Sequence, residues 1–282
     1  MKKKEETRWS MSKLLIRIIL VINTIVVIFP LIWTILTSFK TSTEFYENPW
    51  KLPGSLNLIN YINAIEKANM GDYFFNSIFV TVLGLLICIT MSIGSAYVLT
   101  RYEFKFRSLF KQIYLIGLFL PPILGIVPLF MILQQMNLYD TRIGLSMVYA
   151  FTAFPYTIFI LSGFFGSIPK EFEEAAIVDG CSYYGILWRI MVPMAKPAII
   201  TITIFNFMGF WNEYGYSLTY IASESKRTLP IGLINLMEVQ RYSTDWGALF
   251  AGLVIVMLPT IIVYALLQKR ITSGLTIGGL KG

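Results

Sequence analysis

Histidine is absent from this chain of 282 residues. Without it, the usual zinc ligand sets, a His-based proton relay and a Ser-His-Asp triad are excluded. The dipeptide Gly-Lys is missing as well, so the chain has no P-loop with which to cradle nucleotide phosphates. Cysteine is scarce. Cys88 lies in an apolar run and Cys181 in a polar connection, so no disulfide between them is expected and they say little about redox compartment. Charge is scarce too, at 14% of residues, against about 25% in soluble domains. No long stretch of mixed polarity is left from which to build a large soluble domain.

Apolar residues are what the chain has in excess, at 56%. They fall in runs of bilayer-spanning length separated by short charged connections, the pattern of a polytopic helical membrane protein. Spans are expected near 14–38, 75–99, 109–133, 144–165, 198–220 and 247–267. The fold class is therefore all-α, with about six transmembrane helices. Residues 1–74 hold the N-terminal segment, first span and first external loop, 75–267 the core of five spans, and 268–282 the tail. The first apolar run is too long for a signal-peptide core and no small-residue cleavage site follows it, so it reads as an uncleaved first helix.

The net charge is +7, and its placement argues against nucleic acid. Of the 23 Lys and Arg, 16 fall in one set of connections, counted with the helix ends beside them: the N-terminus, the 100–108 turn, the 166–197 loop and the tail. By the positive-inside rule that side is cytoplasmic, with both termini inside. Prolines 30, 121, 122, 128, 155 and 259 fall within spans. Each fits ordinary kinked packing, but the Pro121–Pro122 pair predicts a helix bent around a pathway.

The 166–197 connection is more than a linker. Ser167 is expected to cap a helix with Pro169 in its first turn, Glu171, Glu173 and Glu174 near the positive end of its dipole, and Gly180 as its left-handed stop. Ser182 then caps a second short helix ending before Pro193. The result is an acidic helix-turn-helix on the cytoplasmic surface, open to two readings: a solvated connector or a docking element.

The string Glu174-Ala175-Ala176, then Asp179-Gly180, then Ile190 and Pro193, resembles the "EAA" loop of binding-protein-dependent ABC importer permeases. Weaker matches run along the chain: Asp140-Thr141 with Gly144-Leu145, Phe210-Trp211-Asn212-Glu213-Tyr214, Thr228-Leu229-Pro230 with Gly232-Leu233, Trp246-Gly247, Gly274-Leu275 and Gly279-Leu280-Lys281-Gly282. Together they resemble the smaller, second permease of a maltose-type carbohydrate importer. Phe172 and Cys181 depart from the pattern, where an aliphatic residue and an alanine are expected, which puts the shape of the partner's groove in doubt.

The resemblance implies a type I importer permease in a bacterial inner membrane, itself without cofactor or catalytic residue. Its implied partners are a second permease, two ATPase subunits that bind ATP and Mg, and an external sugar-binding protein. It implies ATPase coupling through Glu174, Ala175, Ala176, Asp179, Gly180, Ile190 and Pro193. It also implies a tail inserted between the ATPases through Gly278, Gly279, Lys281 and Gly282, extended over 273–282, although a Gly-rich terminus also suits fraying. Loop 221–246 is implied to meet the binding protein, and equally suits simple solvation. Asn206, Trp211, Asn212, Glu213 and Tyr214 combine aromatic faces with amides and a carboxylate, as a sugar pathway requires; helix–helix hydrogen bonding plus an interfacial aromatic belt is the competing reading. A self-sufficient secondary transporter is the rival class, but it normally needs ionisable groups at mid-membrane, and Glu213 is the single candidate acid.

Overall fold

The computed structural model describes residues 11–67, 69–239 and 245–279, and among these every regular element is helical. In chain order the helices are α1 (Met11–Thr37), α2 (Ser42–Glu47), α3 (Ile59–Ile62), α4 (Met70–Arg101), α5 (Arg107–Phe119), α6 (Pro122–Gln135), α7 (Arg142–Ser167), α8 (Glu171–Val178), α9 (Tyr183–Ile186), α10 (Val192–Met194), α11 (Lys196–Trp211), α12 (Gly215–Tyr220), α13 (Leu229–Val239) and α14 (Trp246–Gly279). Four of them, within Lys13–Thr37, Met70–Arg101, Arg142–Ser167 and Trp246–Gln268, are long and apolar enough to cross a membrane singly, and the number is up to six when each of two bent pairs counts as one span.

The first bent pair is α5 and α6, which meet at 111°. The cause is local. A residue preceding proline is pushed out of the helical region, and here two in a row precede one: Leu120 has ψ 122° and Pro121 has ψ 128°. The bend expected at Pro121–Pro122 is therefore present. The second pair joins Tyr183–Met194 to α11 at 76°. The span expected over 198–220 is instead two helices, because the chain leaves α11 at Asn212 and restarts in α12.

The chain packs as two units, Met1–Ala68 with Leu236–Ile255, and Asn69–Asn235 with Val256–Gly282. In the first, α1 leaves its apolar side chains exposed, the surface a bilayer would cover. Its far end is held by aromatic rings: Trp33 meets Phe250 edge-on at 5.2 Å, and Phe45 stacks on Trp246 at 4.8 Å. Thr41 and Glu44 form a reciprocal capping box at the start of α2. Asn60 donates to the carbonyls of Ser38 and Lys40.

In the second unit α4 packs along α7 in the same direction. Gly84 permits the close approach, since a Cβ there would lie 3.2 Å from the Ser146 carbonyl. α11 adds Ala198, Ile202 and Ile204 to the same core. The C-terminal carbonyls of α4 are satisfied by Arg107, which donates to Leu99 and Thr100 at 2.9 Å each. The tail differs from its expected extended form: α14 runs on as a helix to Gly279, and Lys281 and Gly282 lie outside the described residues.

Candidate functional site

The helical hairpin of α8 and α9 stands where the 166–197 loop predicts one, with a different start. Ser167 closes α7, its hydroxyl bonded to the Phe164 carbonyl at 2.8 Å, and α8 begins only at Glu171 without a side-chain cap. Its end is built as expected. Gly180 has φ 78°, Cys181 N–H donates to the Ala176 carbonyl at 2.9 Å, and Gly180 N–H donates to that of Ile177 at 3.0 Å. That pair of bonds is a Schellman stop, which needs a left-handed residue between them. Ser182 then accepts from Gly185 N–H at 3.2 Å and caps α9. The second arm passes Pro193, which occupies the first turn of α10, and ends at Met194.

The coupling candidates separate by direction. Ala176 is buried and Ile190 half-buried, both against a core cluster that includes Leu99, Phe165, Ile186 and Met191. Glu174, Ala175, Asp179, Gly180 and Pro193 are exposed. Around them the outward face carries large apolar groups, with Val178 87%, Tyr184 80% and Ile177 57% exposed. Phe172 also faces out, whereas Cys181 packs against the core cluster.

Residues outside the expected set fix the hairpin to α4. Arg101 Nε lies 2.8 Å from Glu173 Oε1, with side chains only 6% and 14% exposed. Tyr97 donates its hydroxyl to Glu173 Oε2 at 3.1 Å. The Arg101 guanidinium also donates to the carbonyl of Ile168, the residue just after α7. In the sequence Arg101 was legible as one more positive charge at a span end, and Glu173 as a helix-dipole acid. Nothing local announces that they pair.

The 206–214 candidates turn largely inward. Asn206 donates to Thr157 Oγ1 at 2.9 Å and to Cys88 Sγ at 3.6 Å, joining α11 to α7 and α4. Trp211 is buried and donates to the Val256 carbonyl at 3.0 Å, between the rings of Phe74 and Phe207. Asn212 bonds back to the Met208 carbonyl at the end of α11. Glu213 caps α12, accepting from Tyr216 N–H at 2.6 Å and Ser217 N–H at 3.1 Å, and Tyr149 donates its hydroxyl to it at 2.8 Å. Tyr214 is half-buried at the start of α12.

At the opposite end of α4 and α7 from the hairpin lies a polar clasp. Asp140, itself left-handed at φ 53°, accepts from the N–H groups of Ala222 at 3.0 Å and Ser223 at 2.9 Å. Lys226 Nζ reaches its carboxylate at 2.9 Å and its carbonyl at 2.7 Å. Burial alone would raise the Asp140 pKa, but the Ser223 hydrogen bonds and the Lys226 charge bring it down to about 2. Asn76 on α4 donates to the carbonyls of Ser225 and Arg227 and accepts from Arg142 on α7. Ser217 bonds Thr228 at 2.7 Å, and Leu229 N–H donates to Ser77 at 2.8 Å. Two glycines complete it by leaving room. A Cβ on Gly144 would stand 2.2 Å from the Leu138 carbonyl, and one on Gly232 2.0 Å from the Tyr73 ring.

A buried hairpin root, an outward face of acid and large apolar groups, and candidate spans behind it have a counterpart in known proteins. Residues 89–276 match the model of the binding-protein-dependent transport system inner membrane component. The chain belongs to that family. This permease is 37% identical over 281 residues to the probable ABC transporter permease protein YurM of Bacillus subtilis, covering 100% of this chain and 93% of the relative. It is 38% identical over 260 residues to the diacetylchitobiose uptake system permease protein NgcG of Streptomyces coelicolor, covering 92% and 86%. A solved bacterial ABC transporter involved in import of the acidic polysaccharide alginate shares the fold, with a TM-score of 0.83 at 23% identity over 95% of this permease and 99% of that chain. The permease is thus a multi-pass membrane subunit of a transport system, not an enzyme.

Proposed function

We propose that this permease forms half of the translocation pathway of an ATP-driven oligosaccharide importer in a bacterial inner membrane, with both termini cytoplasmic. Its partners are a second permease, two ATPase subunits carrying ATP and Mg, and an external sugar-binding protein. The observation that carries the reading is the hairpin, whose root is buried while Glu174, Ile177, Val178 and Tyr184 face out together. Such a surface suits a groove of mixed basic and apolar character on an ATPase. Within it Ala176 and Ile190 seat the hairpin on the core, Gly180 sets its turn, and Glu174, Ala175, Asp179 and Pro193 face the partner. Gly278, Gly279, Lys281 and Gly282 give a second ATPase contact, presented from a helix as far as Gly279. Asn206, Trp211, Asn212, Glu213 and Tyr214 lie behind the pathway and shape it.

Oligosaccharide is the cargo class because the relative named for diacetylchitobiose uptake resembles this chain over most of its length. The excess of Lys and Arg on the hairpin side supports the orientation. The test is purification of the tagged permease from its own membranes in mild detergent. A stoichiometric ATPase and a second permease are expected. Recovery of the chain alone, where a known importer stays whole, would overturn the coupling. A copurified binding protein, screened against a panel of oligosaccharides and monosaccharides, then decides the cargo class.

A further inference from the structure

The hairpin is continuous in the chain with α7 and α11 but not with α4, and its polar fixing to α4 is concentrated in Arg101, Glu173 and Tyr97. Apolar packing would hold the hairpin in place as well, and a buried ion pair is weak evidence for stability, because desolvation offsets much of the attraction. What the polar joint adds is position. Apolar surfaces can slide past one another at small cost, whereas Glu173 is held by the Arg101 charge at 2.8 Å and by a hydrogen bond from the Tyr97 hydroxyl at 3.1 Å. The second guanidinium contact, to the Ile168 carbonyl, ties the same joint to the end of α7. Further along, Asn206 joins α11 to α4 and α7, and at the far end Asn76 and Arg142 join α4 to α7 within the clasp.

We propose that Arg101 and Glu173 are positioning residues that weld the hairpin to α4, so that a displacement of the hairpin reaches the clasp at the other end of α4 without slack. This rests on the reading of the hairpin as the ATPase contact. A push from the ATPase then moves α4, α7 and the 221–228 segment as one body, and the pair transmits pull as well as push.

The experiment places two spin labels in the purified complex, at Glu171→Cys at the start of α8, outside the face assigned to the ATPase, and Phe75→Cys at the clasp end of α4. Both side chains are exposed in the permease. Cys181→Ala removes the partly exposed native thiol and leaves Cys88 buried. The labels are separated by about 40 Å at 1.5 Å per helical residue, within the reach of pulsed electron resonance. In the unsubstituted pair, one narrow distance is expected, unchanged between the nucleotide-free complex and the complex trapped with ATP and vanadate. The apolar pair Arg101→Met with Glu173→Leu keeps the packing but not the polar joint, and its distance should broaden or shift with nucleotide. Should that variant fail to accumulate, Glu173→Gln is read in the same way, and the exchanged pair Arg101→Glu with Glu173→Arg should recover the narrow distance.

Distances in the apolar pair as narrow and as constant as in the parent would overturn the weld. So would a parent distance that shifts by several Å with nucleotide. Purification without any ATPase would instead overturn the coupling reading. The width of the distance in the lone chain, parent against apolar pair, would then still decide whether the two residues fix the hairpin to α4.

Discussion

The two ends of the α4–α7 pair are tied by opposite means. At the clasp end many neutral and charged hydrogen bonds are shared among short segments, Asp140 alone receiving Ala222, Ser223 and Lys226. Glycines there admit backbone and ring so closely that a methyl group does not fit. At the hairpin end, among the described residues, one ion pair and one tyrosine hydroxyl make the polar connection to α4, inside an apolar cluster. The first arrangement spreads the load, and no single bond in it should be decisive. The second concentrates it. A joint that must hold a loop in one shape suits the clasp, and a joint that must pass a force along one line suits the ion pair.

Removing one partner of the concentrated joint should therefore do more harm than removing one from the spread joint. Arg101→Ala leaves Glu173 buried against tyrosine and apolar neighbours without its cation. A cost of about 3–5 kcal/mol is expected for such an orphaned charge. Thermal inactivation of the purified complex in detergent should show it as a large fall in midpoint. Glu173→Ala should resemble it, and the double variant should cost less than the two singles together, because the second change removes the charge that the first one orphaned. Additive costs would mean that the pair is not coupled and that the contrast between the ends is false.

The spread joint is sharpened by Asp140→Asn. The amide keeps the shape and one acceptor but loses the charge facing Lys226, and part of that site is open to water. A loss of about 1–2 kcal/mol is expected, toward the low end for hydrogen bonds to charged groups because of the partial exposure. The pH dependence gives the sign. The folded carboxyl sits at about 2, below its ordinary 3.8. Its contribution is therefore complete above about pH 5, declines as pH falls through the carboxylate range, and is gone below the folded value. The parent and Asp140→Asn melting curves should stay a constant distance apart between pH 5 and 8 and converge toward pH 2. A gap that closes already between pH 7 and 5 would assign the stabilisation to another group.

These contrasts mark what the sequence could disclose. Four long helices near 14–38, 75–99, 144–165 and 247–267, the Gly180 stop, the Ser182 cap and the Pro121–Pro122 break are local, set by residues within a turn or two of one another, and each is where the sequence puts it. Ser167 suits the end of one helix and the start of the next, and α7 takes it by running on. The continuous span expected over 198–220 broke because Glu213 prefers to cap α12, which hydropathy does not register. Helix α13 lies inside the expected 221–246 loop, on an apolar run flanked by charged residues. Arg101 with Glu173, and Asp140 with Ser223, join segments far apart in the chain. Their partners carry no local signal, although the Asp140-Thr141 and Thr228-Leu229 strings were already noticeable as marks of the family.

Between the two ends sits Asn206, where both readings from the sequence remain sharp enough to separate. As a helix pin it donates to Thr157 and Cys88, and Asn206→Ala should then cost about 0.6–1 kcal/mol, the usual worth of an interhelical hydrogen bond in a membrane protein. Uptake at limiting sugar should stay near the parent's once corrected for the amount of assembled complex. As a pathway residue it should do the reverse, lowering uptake while the midpoint of thermal inactivation stays fixed. Its 5% exposure and its two inward bonds favour the pin. Thr157→Val, which removes the acceptor without touching any surface open to sugar, should then reproduce the Asn206→Ala loss of stability, and the double variant should add little to either. An uptake defect confined to Asn206→Ala, with Thr157→Val silent, would move Asn206 into the pathway and leave its bonds to Thr157 and Cys88 without weight in holding α11 to α7 and α4.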